Sequence, residues 1–325
     1  MRIAAIALLL AAFAHAADYP KAVLKDPCAA THPCDGQIWL QLDAGHPAFQ
    51  ATNDPHGAEH AAPVISPDGK MIVYGVMEVV APERLSPLHL VFLDWSGREL
   101  RRIDTVPTDE LGGTCGYGSI EWIDSARLGV ECEYNPSVAN YVILDVGSGR
   151  VLKQYMGLYF SWSPARRTLA FVGLITHFAK PPAQNYCLHF NENAVYTPNC
   201  TSRVGPLRKS PRSPKSPDRY PNIHTIYSPL VWAPDGSKVA FVVSVYDFIW
   251  NEPSKGEDDF VNSRQYLAIV PLSGRAVGYQ LTGSVGAFPQ LSWLDDTRID
   301  LKSKPNWGDF RRTFDLATDS PKPIP

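Results

Sequence analysis

A strand–turn–strand pattern occurs five times in this chain and constrains its fold more than any other feature. Its clearest copy is Pro229–Val242, where an apolar run around Trp232 leads through Pro234-Asp235-Gly236 into a second apolar run. Valine, phenylalanine and tryptophan favour half-buried strands, whereas proline, aspartate and glycine in succession favour a tight turn. The other copies are Pro63–Tyr74, Ser119–Val130, Tyr159–Val172 and Pro289–Leu301. Each copy predicts a β-hairpin.

The five copies align on one large apolar residue of the first strand. The aligned residues are Ile65, Trp122, Trp162, Trp232 and Trp293, and the matching residues of the second strand are Ile72, Leu128, Leu169, Val239 and Ile299. The second and fifth copies share a turn that is one residue shorter, with the pattern Trp-(Ile/Leu)-Asp-x-x-Arg. Further strands ending in Gly turns follow, as in Leu-Asp-Trp-Ser-Gly. Repeated units of four antiparallel strands are typical of propeller blades, so we predict an all-β fold, a single β-propeller of five or six four-stranded blades.

The repeat resembles that of TolB-like periplasmic β-propellers, which is a WD40-like repeat. The pattern that carries the resemblance is Trp-Ser-Pro-Asp-Gly-Lys-x-(Ile/Val)-(Ala/Val)-(Phe/Tyr), and it extends over residues 60–305. Only the first and fourth copies keep Pro-Asp-Gly intact. The resemblance implies a propeller and not a particular function, because propellers of prolyl-oligopeptidase-like enzymes have the same repeat.

The segments outside the repeats complete the predicted domain organisation. Residues 17–60 form an N-terminal segment, in which we expect the alternating strand Ile38–Leu42 to join the last blade and close the ring. Closure would remove exposed sheet edges. Alternatively, a sixth, degenerate blade lies within residues 18–58 or 174–225. The propeller itself would cover residues 61–325, with a long insertion at 174–226 in the third blade.

The first residues predict export. A positive start at Arg2, a short apolar run over Ala4–Ala14 and the site Ala14-His15-Ala16 are typical of a secretory signal peptide covering residues 1–16. The apolar run is shorter than the ~20 residues that cross a bilayer. We therefore expect a periplasmic or secreted protein with no transmembrane segment in the mature chain.

Export makes the six cysteines candidates for disulfides, because these bonds persist in oxidising compartments. Fifteen pairings are possible for six cysteines. Proximity in sequence favours the pairs Cys28–Cys34, Cys115–Cys132 and Cys187–Cys200.

Two charged segments are candidates for ligand binding, and each has a simpler interpretation. The Ser/Pro-rich tract at residues 203–219 is basic, and it predicts either a loop for an anionic partner or a solvated, mobile insertion. Its candidate residues are Arg208, Lys209, Arg212 and Lys215. The cluster Asp54, His56, Glu59 and His60 contains metal-ligand types, but Pro55 and Gly57 argue against the helix that would place both histidines on one face, so a surface loop is favoured. We predict no metal and no cofactor.

A ring of large side chains is the most specific binding prediction. Five positions before the aligned residues stand His60, Tyr117, Gly157, Tyr227 and Phe288. In a propeller these positions surround one mouth of the central channel, where aromatic anchors would hold a ligand. His60, Tyr117, Tyr227 and Phe288 are the predicted site, and packing between neighbouring blades is the alternative.

These patterns favour an exported, non-catalytic binding or scaffold protein of the cell envelope that docks a protein or peptide at the channel mouth. A serine hydrolase is disfavoured because the sequence has no Gly-x-Ser-x-Gly elbow. The alternative is a propeller-type enzyme, lyase- or lactonase-like, with its site in the central channel; a structural protein without a ligand is a third class. The net charge of −3 gives no general attraction to nucleic acid, so none is expected as a partner. The oligomeric state stays open, a monomer being one option.

Overall fold

The repeats fold as antiparallel strands, as their sequence pattern predicts. The computed structural model describes residues 20–25, 36–54, 57–81, 84–104, 106, 115, 119–135, 138–173, 187–196, 218–226, 228–250, 259–283, 285–286, 289–304 and 309–325. All helical or extended elements within these ranges are strands, and the fold is all-β. It follows that the described ranges offer no helix able to cross a membrane.

The strands form several sheets that follow chain order. An N-terminal sheet has the order β1-β2-β3, with β1 (Lys21–Lys25), β2 (Gln37–Gln41) and β3 (Phe49–Gln50). The first repeat forms β4 (Glu59–Ile65), β5 (Ile72–Met77), the separate hairpin β6 (Val79–Ala81) and β7 (Arg84–Leu85), then β8 (His89–Leu93) and β9 (Glu99–Ile103), in the order β4-β5-β8-β9. These four strands are the predicted blade unit.

The second and third repeats share one continuous sheet. Its strands, in spatial and chain order, are β10 (Ile120–Trp122), β11 (Arg127–Asn135), β12 (Val138–Asp145), β13 (Val151–Trp162), β14 (Leu169–Gly173), β15 (Cys187–Phe190) and β16 (Asn193–Tyr196). The sequence predicts separate strands for Val151–Tyr155 and for the region from Tyr159, and the structure joins them in β13. A register shift between Leu158 and Ser161, with Tyr159 at φ 57°, marks the junction.

The fourth and fifth repeats form the last two sheets. The fourth contains β17 (Asp218–Ile226), β18 (Val231–Trp232), β19 (Lys238–Trp250), β20 (Asp259–Pro271) and β21 (Val277–Gln280), in the order β17-β19-β20-β21 with β18 also paired to β19. The fifth contains β22 (Gln290–Trp293), β23 (Arg298–Lys302) and β24 (Arg311–Asp315) in that order. The hairpin β15–β16 and strand β17, which fall within the predicted insertion 174–226, thus belong to the sheets of the third and fourth repeats.

The turns between the first two strands recur in detail. The Gly69 amide donates to the Ser66 carbonyl oxygen at 2.8 Å, and the Gly236 amide donates to the Ala233 carbonyl oxygen at 2.9 Å. Both glycines are left-handed, with φ of 71° and 70°, a conformation glycine adopts without a steric penalty. In the third repeat Arg166 holds this position at φ 54°. Pairing of the flanking strands therefore imposes the turn even where the residue disfavours it.

Tryptophan side chains link each of three repeats to the one before it. In each case the indole Nε1 donates to the backbone oxygen of the residue that precedes the aligned position of the previous repeat. The three bonds are Trp122 to Val64 (3.4 Å), Trp232 to Ser161 (2.9 Å) and Trp293 to Val231 (3.0 Å). Trp162 differs, because its indole donates to the Tyr141 hydroxyl at 2.6 Å. The tryptophans therefore pack between repeats and do not form an exposed platform.

The fourth-repeat sheet buries both of its faces. Successive side chains of β19 point to opposite faces, as in any strand. One face joins an apolar cluster with Val172, Leu188 and Phe190 of the third repeat, and the other joins a cluster with Ile299, Leu301 and Phe314 of the fifth. The sheet is thus covered by its two neighbours along the chain, and each fully buried large apolar side chain contributes about 1.5–3 kcal/mol.

The N-terminal sheet corrects one expectation. Ile38 and Leu40 of β2 are fully buried and pack against Ile72 and Tyr74 of the first repeat. Strand β2, which we expect to join the last blade, is instead the central strand of its own sheet, with β1 and β3 on its two edges. Both edges of its backbone are therefore already paired, and it does not close a ring by pairing with β24.

The chain divides into two compact units. The first comprises Met1–Pro107, Gly113–Leu128 and Asp145–Gly149, and the second comprises Thr108–Gly112, Gly129–Leu144 and Arg150–Pro325. The N-terminal and first-repeat sheets belong to the first unit, and the sheets of the fourth and fifth repeats belong to the second.

Three of the six cysteines lie in the described ranges. Cys115, Cys132 and Cys187 are disulfide-bonded and buried. Cys28, Cys34 and Cys200 lie outside the described residues, so the three local pairs stay a prediction.

Candidate functional site

His60, the one described residue of the predicted aromatic ring, lies in β4 and is buried. It is 3% exposed, its Nε2 lies 2.9 Å from Asp54 Oδ2, and its ring stacks on Tyr74 with centroids 6.0 Å apart. The Tyr74 hydroxyl donates to the same carboxylate oxygen at 3.4 Å, and burial raises the pKa of Tyr74 well above its usual range. His60 therefore belongs to a buried polar network, and a binding role for it stays a prediction.

The sheet register also changes which residues of the ring are equivalent. In the first repeat, the aligned residue Ile65 pairs with Ile72 on β5. His60 pairs with Val76, which is four residues further along β5. The same step of four residues along β19, from Val239 to Val243, leads to the partner Ile226 on β17. Extra residues between β17 and β18 interrupt the pairing in the fourth repeat. The residue five positions before the aligned residue therefore does not occupy the same rung in the first and fourth repeats.

The remaining predicted site residues cannot be placed. Tyr117, Tyr227, Phe288, Arg208, Lys209, Arg212 and Lys215 lie outside the described residues. The same holds for His56 of the acidic and histidine cluster, while Glu59 and His60 lie in a strand. Within the described ranges, no three His, Cys, Asp or Glu side chains come together as a metal site.

A cleft that sequence analysis missed opens at one end of the fourth-repeat sheet. It is an open depression with a volume of about 600 Å³. It is lined by Pro221 and Asn222 of β17, Asp247 of β19, and Asn262, Ser263 and Arg264 of β20. Because the strands are antiparallel, the early part of β17, the late part of β19 and the early part of β20 meet at this end.

Irregular strand pairing creates the cleft. The register shifts between residues 220 and 223 where β17 pairs with β19, and again between Val245 and Asp247 where β19 pairs with β20. Asn222 and Asn262, one at each irregularity, have φ of 53° and 56°. Asparagine tolerates this left-handed conformation better than most residues. Such bulges redirect side chains and are common beside functional sites.

Asp247 holds both irregular segments in place. The residue is 8% exposed. Its Oδ1 accepts a hydrogen bond from the Asn222 backbone N–H at 3.1 Å, and its Oδ2 accepts one from Asn262 Nδ2 at 2.9 Å. A buried carboxylate is costly unless it accepts hydrogen bonds, so each contact stabilises the others.

Arg264 supplies the positive charge of the cleft. Its Nη2 donates to Asn222 Oδ1 at 3.1 Å, whereas its buried Nε has no hydrogen-bond partner among the described residues. Arg264 also forms no ion pair with a carboxylate in the described part of the chain. The guanidinium is half-buried, and its N–H groups other than the buried Nε are donors that a ligand can use.

His224 lies beside Arg264 in the same rung of the sheet. His224 faces Val245 on β19, and Val245 faces Arg264 on β20, so the three side chains project from one face. His224 is 2% exposed; its Nε2 donates to the Pro325 backbone oxygen at 2.9 Å, which leaves Nδ1 to accept from the Tyr196 hydroxyl at 2.9 Å. Burial, and less strongly the charge of Arg264, lowers the pKa of His224 to about 4. The neutral imidazole therefore adds no positive charge next to the cleft near pH 7.

The sequence contains weak signals for this cleft. Asp247 is the sole acidic residue of the thirteen-residue strand β19. The pairs Pro221-Asn222 and Asn262-Ser263 interrupt otherwise extended segments. Nothing in the linear pattern brings these three signals together, because the pairing of β17 and β20 with β19 does so.

The side chains of the cleft offer both donors and acceptors to a ligand. Arg264 offers donors to an anion, the two asparagine side chains offer amide groups, and both oxygens of Asp247 already accept hydrogen bonds. The described lining residues also include the Ser263 hydroxyl.

Comparison with known proteins gives limited information. Neither a protein-family model nor a curated protein matches the sequence. Among solved structures, the β-propeller domain of the Trilobed protease from Pyrococcus furiosus is 12% identical, with 92% of this chain and 97% of that chain covered and a TM-score of 0.35. An oligogalacturonate lyase in complex with manganese is 15% identical, with 86% and 83% covered and a TM-score of 0.35.

A third structure is a puromycin-hydrolyzing peptidase of Mycobacterium tuberculosis. It is 14% identical, with 93% of this chain but 44% of that chain covered, and a TM-score of 0.41. All three TM-scores are low, so the contacts between repeats and the geometry of the cleft are the basis for a function.

Proposed function

We propose that this chain is an exported β-propeller of the cell envelope that binds a protein or peptide without catalysis, at the cleft of its fourth repeat. The observation that carries the proposal is the pocket of about 600 Å³ into which two strand irregularities direct polar side chains. Arg264 supplies charged donors there and has no carboxylate partner in the described part of the chain.

Contacts between repeats support the propeller arrangement. The same indole-to-backbone hydrogen bond joins the second repeat to the first, the fourth to the third and the fifth to the fourth. The fourth sheet shares its two apolar faces with its neighbours along the chain, as a blade does. The N-terminal sheet packs on the first repeat in the same manner and is our candidate for a sixth, degenerate blade.

The predicted aromatic residues Tyr117, Tyr227 and Phe288 form a separate part of the proposal. We propose that these side chains contact a ligand, because aromatic anchors contribute strongly to binding. His60, which is buried, would contribute to stability and not to ligand contact.

Export remains part of the proposal. The predicted signal peptide, residues 1–16, would direct the chain to the periplasm or outside the cell, and the disulfide bonds of three buried cysteines fit an oxidising compartment.

Site-specific photo-cross-linking in the native cell tests the proposal. A benzoylphenylalanine replaces Ser263, which lines the cleft, or Ser273, an exposed serine in the turn after β20 that serves as the matched control. We expect a discrete adduct in the periplasmic or secreted fraction from the Ser263 variant and none from the Ser273 variant. Equal labelling at both positions, or none at Ser263, would contradict a docking site in the cleft.

A second candidate is the propeller-type enzyme, lyase- or lactonase-like. The observation in its favour is the buried pair of His60 and Asp54, joined to the Tyr74 hydroxyl, because a histidine oriented by a carboxylate is a common catalytic arrangement. Metal analysis of the purified protein separates the candidates: a stoichiometric ion that is lost in the His60→Gln variant would favour the enzyme.

A further inference from the structure

We propose that the group bound at Arg264 is a carboxylate, and that it is the C-terminal carboxylate of a peptide. The inference deepens the proposed function and rests on it, since it assigns the ligand chemistry of the same cleft. Its basis is the arrangement of Arg264, Asn222, Asn262 and Asp247.

The guanidinium is oriented before any ligand arrives. Arg264 follows the irregular pair Asn262-Ser263 in β20, and its Nη2 is fixed by the hydrogen bond to Asn222 Oδ1 at 3.1 Å. Asn222 is fixed in turn, because its backbone N–H donates to Asp247 at 3.1 Å. Arginine binds carboxylates through two parallel N–H groups in one plane. The buried Nε is closed to a ligand, so such a pair would use the remaining N–H groups of Nη1 and Nη2.

Among anions, the charges of the described lining residues favour one with a single negative charge over one with two. Arg264 contributes one positive charge and Asp247 one negative charge, while His224 is neutral near pH 7 because burial lowers its pKa to about 4. A dianionic phosphate would meet repulsion from Asp247 that one guanidinium does not offset at such short range. A carboxylate leaves a smaller excess of negative charge in the site.

The rest of the cleft suits the peptide that precedes a terminal carboxylate. The side-chain amides of Asn222 and Asn262 combine donors and acceptors, which match the N–H and C=O groups of a peptide backbone. A volume of about 600 Å³ exceeds what a carboxylate alone would fill and leaves room for the adjoining residues. The site is also open at the surface, since Pro221, Asn262 and Ser263 are exposed.

The experiment compares peptides that differ only at the C-terminus. A pool of N-acetylated tetrapeptides of mixed sequence is prepared as free acids and as C-terminal amides, and binding to the purified full-length protein is measured by equilibrium dialysis with mass spectrometry. We expect the acids to bind at least about tenfold more tightly than the amides, as for loss of one charge-assisted, bidentate contact. Inorganic phosphate at equal concentration should not displace the acids.

Variants locate the effect in the cleft. Arg264→Gln should abolish the preference for acids, and Arg264→Lys should retain part of it because the charge remains without the planar fork. Arg275→Gln is the matched control, as Arg275 is exposed in the turn at the opposite end of β20. Thermal melting shows whether each variant is folded. If Arg264→Gln does not fold, the acid preference of Arg264→Lys is the test.

The outcomes separate this inference from the proposed function. If acids and amides bind equally and Asn262→Ala abolishes binding, the carboxylate assignment is wrong but the cleft is still a peptide site. Peptides whose binding is unaffected by every cleft variant would overturn the site itself. N-acetylated single amino acids that compete as well as tetrapeptides would support the carboxylate and overturn the peptide as its source. Displacement by phosphate would indicate a general oxyanion site and overturn the choice of carboxylate.

Discussion

The first and fourth repeats start from the same hairpin and end differently. Their turns have the same hydrogen bonds and left-handed glycines, and their aligned rungs, Ile65 with Ile72 and Trp232 with Val239, are equivalent. Strand β5 then ends at Met77 after six residues, whereas β19 runs for thirteen residues to Trp250. The additional rungs contain both irregularities, two left-handed asparagines and the cleft.

This contrast separates the part of a repeat that stabilises from the part that can bind. Near the aligned rungs, β19 is apolar on both faces and covered by its neighbours. Beyond them, buried Asp247 and half-buried Arg264 replace apolar residues, and backbone strain is stored in the two asparagines. Strain and buried polar groups lower stability, so they persist where function requires them. Four measurements test this division, and we give them in order of expected effect.

The largest effect is expected in the apolar half of the fourth sheet. Phe241 is fully buried in the cluster shared with the third repeat. Phe241→Ala should lower the free energy of unfolding by about 3–5 kcal/mol, since it removes buried area and leaves a cavity. Urea denaturation measures the change. Leu272→Ala, at a position 47% exposed directly after β20, is the control and should change stability by no more than about 0.5 kcal/mol.

Acid should weaken the chain at the boundary between the two halves. The pKa of His224 falls from 6.5 to about 4 on folding, so the unfolded chain binds a proton that the folded chain does not as pH drops below 6.5. The folded state should therefore lose stability between pH 6.5 and 4, by about 3 kcal/mol in total at about 1.4 kcal/mol per pKa unit. Urea denaturation across this range in wild type and in His224→Gln isolates the effect, because other groups titrate alike in both. Identical pH dependence of the two proteins would refute the assignment.

A smaller loss is expected in the polar half. Asp247→Ala removes the acceptor of the Asn222 and Asn262 hydrogen bonds and should cost about 1–3 kcal/mol. Asp296→Ala removes an exposed carboxylate that accepts one backbone hydrogen bond, and it is the control, with an expected change within about 0.5 kcal/mol. If Asp247→Ala instead stabilised the protein, the Asp247 carboxylate would not contribute to folding stability, and ligand binding would be its only remaining role.

The smallest effect tests the contact that repeats along the chain. Trp232→Phe and Trp293→Phe each keep an aromatic ring and lose the indole hydrogen bond to the previous repeat. Each should cost about 1 kcal/mol, and the two values should agree because the contacts are equivalent. Thermal and urea unfolding measure both. Clearly unequal losses would show that the repeats are not joined in the same way.

The sequence by itself determined the scaffold. Strand periodicity and the Pro-Asp-Gly turns predict the all-β fold and the hairpins, because these depend on residues close together in the chain. The sequence also predicts the shared turn of the second and fifth repeats, where Asp124 pairs with Arg127 and Asp295 pairs with Arg298.

Only the tertiary structure decided where the polar residues meet. Asn222, Asp247 and Arg264 lie far apart in sequence, and pairing of three strands brings them to one cleft. Pairing with β1 and β3 placed β2 in a sheet of its own, and pairing of β17 with β19 put Ile226 at the rung that matches His60 of the first repeat. Strand register depends on bulges. One inserted residue shifts the pairing of every later residue in the strand, and the apolar pattern of the sequence does not reveal that shift.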